Sequence, residues 1–293
     1  MNMSKELYKI CSYMKENFTY NIIHLTGGEP TLCKDTNNIC DKLVKNRFKI
    51  NIVTNLININ VIEKLYQNRL INELTFTFVP QDKENVIRKE SLENYETVNN
   101  SRYEQILNNA LMLKEKYNAK IKANIICSGL TDINNALDMI NWCFKHEISP
   151  RLQRDRSNDR IIESNETVNT ILELLEMKKE AVEIRIPGAT EILKYCNSKN
   201  QKINVKIFNK NFKFLEVCKD CHEKDTCDKA LSSIRIYEKS DGVYLCFCNK
   251  LDKDFTTMRL EQFKNSSVIN EISCYKKNNK LYFNRFCIKP NHQ

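Results

Sequence analysis

The sequence predicts an α/β fold built on a parallel sheet, followed by a small cysteine-rich module. Three observations predict it. Short apolar runs alternate with amphipathic stretches of 10–17 residues through residues 1–155, the pattern of consecutive βα units. That alternation gives way beyond about residue 200 to short extended runs interrupted by cysteines. The composition is that of a globular chain: 41% of the 293 residues are hydrophobic and 28% charged, which excludes global disorder. Five glycines and five prolines exclude collagen-like and linker-rich architectures.

The elements follow in order. Leu7, Ile10, Cys11 and Met14 stand at helical spacing within a helix over 3–18. Asn21-Ile22-Ile23-His24-Leu25-Thr26 reads as a strand ended by Gly27-Gly28. A helix over 35–46 and a strand over 48–54 come next, then a helix over 59–69 and a strand over 73–79. Residues Pro80 to Asn99 form a polar excursion, after which a helix over 101–117 leads to a strand over 119–127. A helix over 132–146 and an extended segment from Ile148 to Gln153 end the regular part; a helix over 165–178 and a strand over 181–186 continue it less regularly. The expected division is residues 1–200, an α/β layer or part of a barrel, and residues 201–293, a metal-organised module.

The net charge is +9, but lysines and acids alternate along the chain, the mark of a solvated basic surface and not of a nucleic-acid footprint. Nucleic acid is therefore disfavoured as a partner. No run of about 18 apolar residues exists to span a membrane, and residues 1–6 carry no apolar signal core. The expected location is the cytoplasm.

Thirteen cysteines in a reducing compartment point to metal or catalysis and not to bridges. Cys11, Cys33, Cys40, Cys127, Cys143 and Cys196 are scattered, mostly among apolar residues, and read as small buried hydrophobes. The other seven lie from Cys218 onward. Cys218-x2-Cys221-x5-Cys227 opens like a soft-metal site, because a Cys-x2-Cys pair puts two thiolates on one tight turn. Asp241-Gly242 between two extended runs signals a hairpin that returns the chain toward that turn. Cys246 and Cys248 then share one face of the second strand, so either completes the site. Spacing alone leaves zinc and iron–sulfur open.

The sharpest local signal is Leu25-Thr26-Gly27-Gly28-Glu29-Pro30-Thr31-Leu32. Ligands of parallel α/β sheets bind beyond the carboxyl ends of strands, and adjacent glycines there bare the backbone to a ligand. Glu29 offers an acceptor for a ligand ammonium, and Pro30 stiffens the turn.

The run Leu-Thr-Gly-Gly-Glu-Pro after an apolar strand resembles the signature of the radical S-adenosylmethionine superfamily. The resemblance extends over about residues 3–155: Thr54-Asn55 resembles the pair ending the next strand, Thr77 falls at a hydroxyl position on the one after, and Lys122-Ala123-Asn124 resembles a Lys-x-Asn on the following one. It implies a partial (β/α) barrel of the radical SAM type and a site for S-adenosyl-L-methionine formed by Gly27, Gly28, Glu29, Pro30, Thr54, Asn55, Thr77 and Asn124. It also implies reductive cleavage of that cofactor to a 5′-deoxyadenosyl radical, the cofactor supplying the difficult chemistry, with an electron donor such as flavodoxin or ferredoxin. The cysteine-rich module resembles the SPASM and twitch auxiliary-cluster modules, which implies a [4Fe-4S] cluster on Cys218, Cys221, Cys227 and Cys246, Cys248 being the reserve. Length and layout are similar to the molybdenum-cofactor GTP cyclase and to peptide-modifying members; the residues preceding the glycine turn disfavour GTP, leaving a peptide or small-molecule substrate.

The family's Cys-x3-Cys-x2-Cys triplet is absent, and Cys11 is the one cysteine ahead of Gly27. The expectation is an N-terminally truncated chain whose primary cluster belongs to a full-length form. The alternative is a catalytically inactive variant, acting as a metal-containing module that binds a peptide or partner.

Overall fold

Helix and strand alternate from the start: α1 (Met3–Phe18), β1 (Ile22–Leu25), α2 (Thr36–Lys45), β2 (Lys49–Val53), α3 (Ile59–Gln67), β3 (Glu73–Phe78), α4 (Asn100–Tyr117), β4 (Ile121–Cys127), α5 (Ile133–Lys145) and β5 (Ser149–Arg154). Then come α6 (Ile161–Leu174), β6 (Lys178–Arg185), β7 (Thr190–Cys196), β8 (Lys202–Phe208), β9 (Ile234–Lys239), β10 (Gly242–Cys246), β11 (Thr257–Met258), α7 (Leu260–Lys264) and β12 (Arg285–Lys289). The computed structural model describes residues 3–18, 21–79, 100–128, 133–154, 161–185, 190–208, 216–219, 234–239, 242–246, 257–271 and 285–289. The expected excursion from Pro80 to Asn99 lies outside them.

The strands form one sheet in the order β11-β10-β9-β12-β1-β2-β3-β4-β5-β8-β7-β6. Its centre, β1 to β5, is parallel and sequential. A helix joins each successive pair, and crossovers of one hand put those helices on one face. The result is an α/β fold, a partial (β/α) barrel whose sheet ends at β11 and β6 among the described residues. Ile23, Leu25, Ile52, Phe76 and Ile125 point from the strands into the fully buried core, with Ile62, Leu113 and Ile140 from the helices.

Five glycines are too few to end so many helices, and the chain manages without them. Arg47, Arg69, Glu147 and Glu176 adopt φ of 63°, 54°, 53° and 52° just past α2, α3, α5 and α6. In each case the next residue's N–H reaches back five positions: Phe48 to Leu43, Leu70 to Leu65, Ile148 to Cys143 and Met177 to Leu172. This is the Schellman closure, normally built on glycine. The reaching residue is apolar and joins the core, Phe48, Leu70 and Ile148 buried and Met177 packed against it, which offsets a left-handed strain of about 1–2 kcal/mol.

The last of these closures corrects the expected helix over 165–178. α6 begins at Ile161 and stops at Leu174, because the turn at Glu176 releases Lys178 into β6. The expected strand over 181–186 accordingly starts three residues early. The strands at both ends of the sheet extend it in ways periodicity did not indicate. β8 lies parallel to β5, and β7 and β6 follow as an antiparallel meander. β12 inserts parallel between β9 and β1. The Asp241-Gly242 signal is met by the antiparallel pair β9 and β10, with Lys239 opposite Gly242.

Candidate ligand site at the ends of β1 and β2

Gly27, separated from the end of β1 by Thr26 alone, takes φ 151°, a backbone state that L-residues with side chains rarely adopt. Gly28 is exposed beside it. The chain then turns through a single 3-10 turn, Pro30–Leu32, with Pro30 at its start and Glu29 capping it. Thr36 Oγ1 donates to the Pro30 carbonyl at 2.6 Å, and Pro30 itself is buried.

Glu29 is 8% exposed, and its carboxylate lies within the protein's own hydrogen bonds. Oε1 accepts from Thr31 N at 3.0 Å, Thr31 Oγ1 at 2.8 Å and Thr54 Oγ1 at 2.7 Å. Oε2 accepts from Asn55 N at 2.6 Å. Glu29 therefore ties the turn after β1 to the turn after β2. Thr54 Oγ1 accepts in its turn from Leu56 N at 3.1 Å, and Asn55 Oδ1 from Ile57 N at 3.0 Å. Asn58 Nδ2 closes the loop onto the Thr31 carbonyl at 3.0 Å. Asn109 Nδ2, from α4, holds the carbonyl of Leu56 at 2.8 Å, where φ is 60°. Thr31, within the glycine run, and two residues that sequence reasoning passed over, Asn58 and Asn109, thus complete the arrangement; the polar cluster Thr54-Asn55-x2-Asn58 was the available signal for Asn58.

The sheet face opposite the helices is polar. Parallel register aligns Thr77, Asn124, Arg151 and Asn204 across β3, β4, β5 and β8. Asn124 is buried, and its Oδ1 accepts from Arg151 Nε at 2.7 Å, while Thr77 is exposed. A row nearer the strand starts aligns His24, Asn51 and Glu73. Glu73 there forms an ion pair with Lys122 and accepts from Asn51 Nδ2 at 3.4 Å. His24 is half-buried on this face, while Ile23 and Leu25 enter the core. Of the residues named from the sequence, the fold joins Glu29 to Thr54 and Asn55 by hydrogen bonds, and sets Thr77 beside Asn124.

The cysteines divide as their surroundings dictate. Cys11, Cys40, Cys127 and Cys143 are buried. Loss of hydration pushes the thiols of Cys40, Cys127 and Cys143 up to about 12, Cys33 adding to the effect at Cys40. Cys11, inside α1, is pushed up further by the same cause. Cys33 and Cys196 are half-buried. Cys218 ends a short 3-10 turn half-buried, and Cys246 is fully buried on β10 opposite Arg235. Cys221, Cys227 and Cys248 lie outside the described residues. Among the described residues, no group of three or more His, Cys, Asp or Glu side chains is placed to hold a metal ion, and no helix is long and apolar enough to cross a membrane.

No family model matches the chain, and no curated protein matches it. Among solved structures, TYW1 with a lysine-pyruvate adduct bound superposes at a TM-score of 0.40 and 19% identity, over 56% of this chain and 53% of that one. SuiB of Streptococcus suis bound to S-adenosylmethionine superposes at 0.41 and 17%, over 59% of this chain and 41% of that one. SuiB bound to its precursor peptide SuiA gives the same score and identity, over 40% of its length. This chain thus spans about half the length of these structures or less. Likeness of this degree is too slight to transfer a ligand or an activity.

Proposed function

We propose that the chain binds S-adenosyl-L-methionine at the Gly27-Gly28 turn and belongs to a radical SAM-type system that modifies a peptide or small-molecule substrate. The observation that carries the reading is the turn itself. Two glycines follow the first parallel strand, the first in a conformation suited to glycine, and a buried carboxylate fixes them against Thr54 and Asn55. A bared backbone at a strand's carboxyl end is where such a sheet takes a ligand. The donor and acceptor mix of Thr77, Asn124 and Arg151 on the adjoining face suits the polar end of an amino acid.

A primary iron–sulfur cluster supplies the electron that cleaves the cofactor in such systems. The residues present do not fit one: the thiolate triplet is absent, and Cys11 is fully buried within α1. Radical formation, with flavodoxin or ferredoxin as donor, is assigned to a form carrying those ligands. In residues 201–293, Cys218, Cys221, Cys227 and Cys246 would hold an auxiliary [4Fe-4S] cluster, a Cys-x2-Cys pair being the common start of a soft-metal site; of the two described members, Cys218 is half-buried and Cys246 buried. The burial of Cys11 also favours a second reading, a catalytically inactive, metal-containing module that binds a peptide or partner.

The test is anaerobic reconstitution of this chain with iron and sulfide, followed by an iron count, EPR after dithionite, and a search for 5′-deoxyadenosine. About four irons per chain and no cleavage of S-adenosylmethionine is the expected result. Iron near zero removes the auxiliary cluster from the proposal. Cleavage by this chain alone overturns the assignment of radical formation to another form.

A further inference from the structure

We propose that Glu29 is a positioning residue, which acts on ligand affinity by locking two turns together and not by touching the ligand. The inference rests on the S-adenosylmethionine reading for its ligand, but its geometry stands on hydrogen bonds within the chain. Glu29 and Thr54 are 25 residues apart, on successive strand ends, and their side chains meet at 2.7 Å. The carboxylate receives N–H and O–H donors from both turns. A carboxylate is the side chain such a nest of donors requires, since it accepts at both oxygens and donates at neither.

Two consequences follow for the ligand side. The bond from Asn55 N to Glu29 and the bond from Ile57 N to Asn55 Oδ1 together fix the Asn55 side chain, so its Nδ2 donor has one direction. The same carboxylate holds Thr31, and through the 3-10 turn it sets the path of Gly27 and Gly28. Loosening Glu29 therefore misplaces two potential ligand contacts at once. Misplacement costs affinity for whatever part of a ligand those groups meet, irrespective of charge at the Glu29 position.

The experiment compares S-adenosylmethionine with its deaminated analogue, which lacks the ammonium, on the full chain and on Glu29→Gln and Glu29→Ala. Equilibrium dialysis gives affinity, and hydrogen–deuterium exchange follows residues 27–31 and 54–57. The positioning role predicts that Glu29→Gln weakens both ligands by the same factor, about tenfold, as loss of one charged hydrogen bond implies. It also predicts that both segments lose protection together in both variants. A loss confined to S-adenosylmethionine, with the analogue unaffected, identifies direct contact with the ammonium and overturns the proposal. Deprotection of 27–31 without 54–57 overturns it as well. If the unaltered chain takes neither ligand, the S-adenosylmethionine reading fails, and exchange alone decides whether Glu29 joins the two turns.

Discussion

Replacing Thr54 by valine probes the joint between the first two strand ends at nearly constant volume. The hydroxyl is buried, donates to Glu29 at 2.7 Å and accepts from Leu56 N at 3.1 Å. Valine deletes a bond to a charged acceptor, worth about 1.5–3 kcal/mol, and strands a buried backbone N–H at a cost of about 1–3 kcal/mol. The added methyl returns under about 1 kcal/mol. The expected net loss is about 3 kcal/mol, or about 6 °C in Tm at the roughly 2 °C per kcal/mol of a chain this size. Urea unfolding followed by circular dichroism reads it, with Thr54→Ser, which keeps the hydroxyl, losing under about 1 kcal/mol. In a Glu29→Gln background the valine substitution should cost at least about 1 kcal/mol less, since the two side chains share one bond. A Thr54→Val protein within about 0.5 kcal/mol of the original would refute the joint.

Other expectations follow from separate parts of the molecule. The buried thiols of Cys11, Cys40, Cys127 and Cys143 stay protonated when folded, while their unfolded counterparts ionise near 9.0. Stability is therefore full below about pH 9 and falls as pH rises toward 12, by up to about 1.4 kcal/mol per unit for each thiol; urea titrations between pH 8 and 11 check the sign. The same four thiols should resist iodoacetamide in the native chain while Cys33 and Cys196 react, as peptide mass spectrometry would reveal. Lys122→Met should destabilise by about 2 kcal/mol by stranding the half-buried Glu73, and Glu73→Gln in the same chain should recover most of the loss. Arg69→Gly relieves a left-handed residue after α3 and should raise stability by about 0.5–1 kcal/mol, measured by the urea midpoint.

The central α/β layer was legible because its periodicities are strong and its strands occur in chain order. Ile23 and Leu25 alternate with Ile22 and His24, and the pairs Leu43/Phe48 and Leu65/Leu70 mark where helix becomes strand. The ends of the sheet were not legible. Nothing local in Lys202–Phe208 tells that this run lies beside β5, nor in Arg285–Lys289 that it lies beside β1, since pairing partners far apart in sequence leave no trace in a single strand's pattern. α6 was placed four residues late because its closing residue is Glu176, and a search for glycine or proline passes over a glutamate in the left-handed region. At the site, the glycine pair and the Thr54-Asn55 pair were each visible, but the bond between them was not. Glu29 read from sequence is an acceptor for a ligand ammonium; folded, it accepts from Thr31, Thr54 and Asn55.

Equilibrium dialysis with radiolabelled S-adenosylmethionine decides whether the Gly27-Gly28 turn is a seat for that cofactor. One saturable equivalent per chain is expected, and its loss in Gly27→Val, where a side chain must enter a backbone state that it rarely adopts, with the circular dichroism spectrum unchanged. A folded original chain that binds none, or a Gly27→Val chain that binds as tightly as the original, would contradict it.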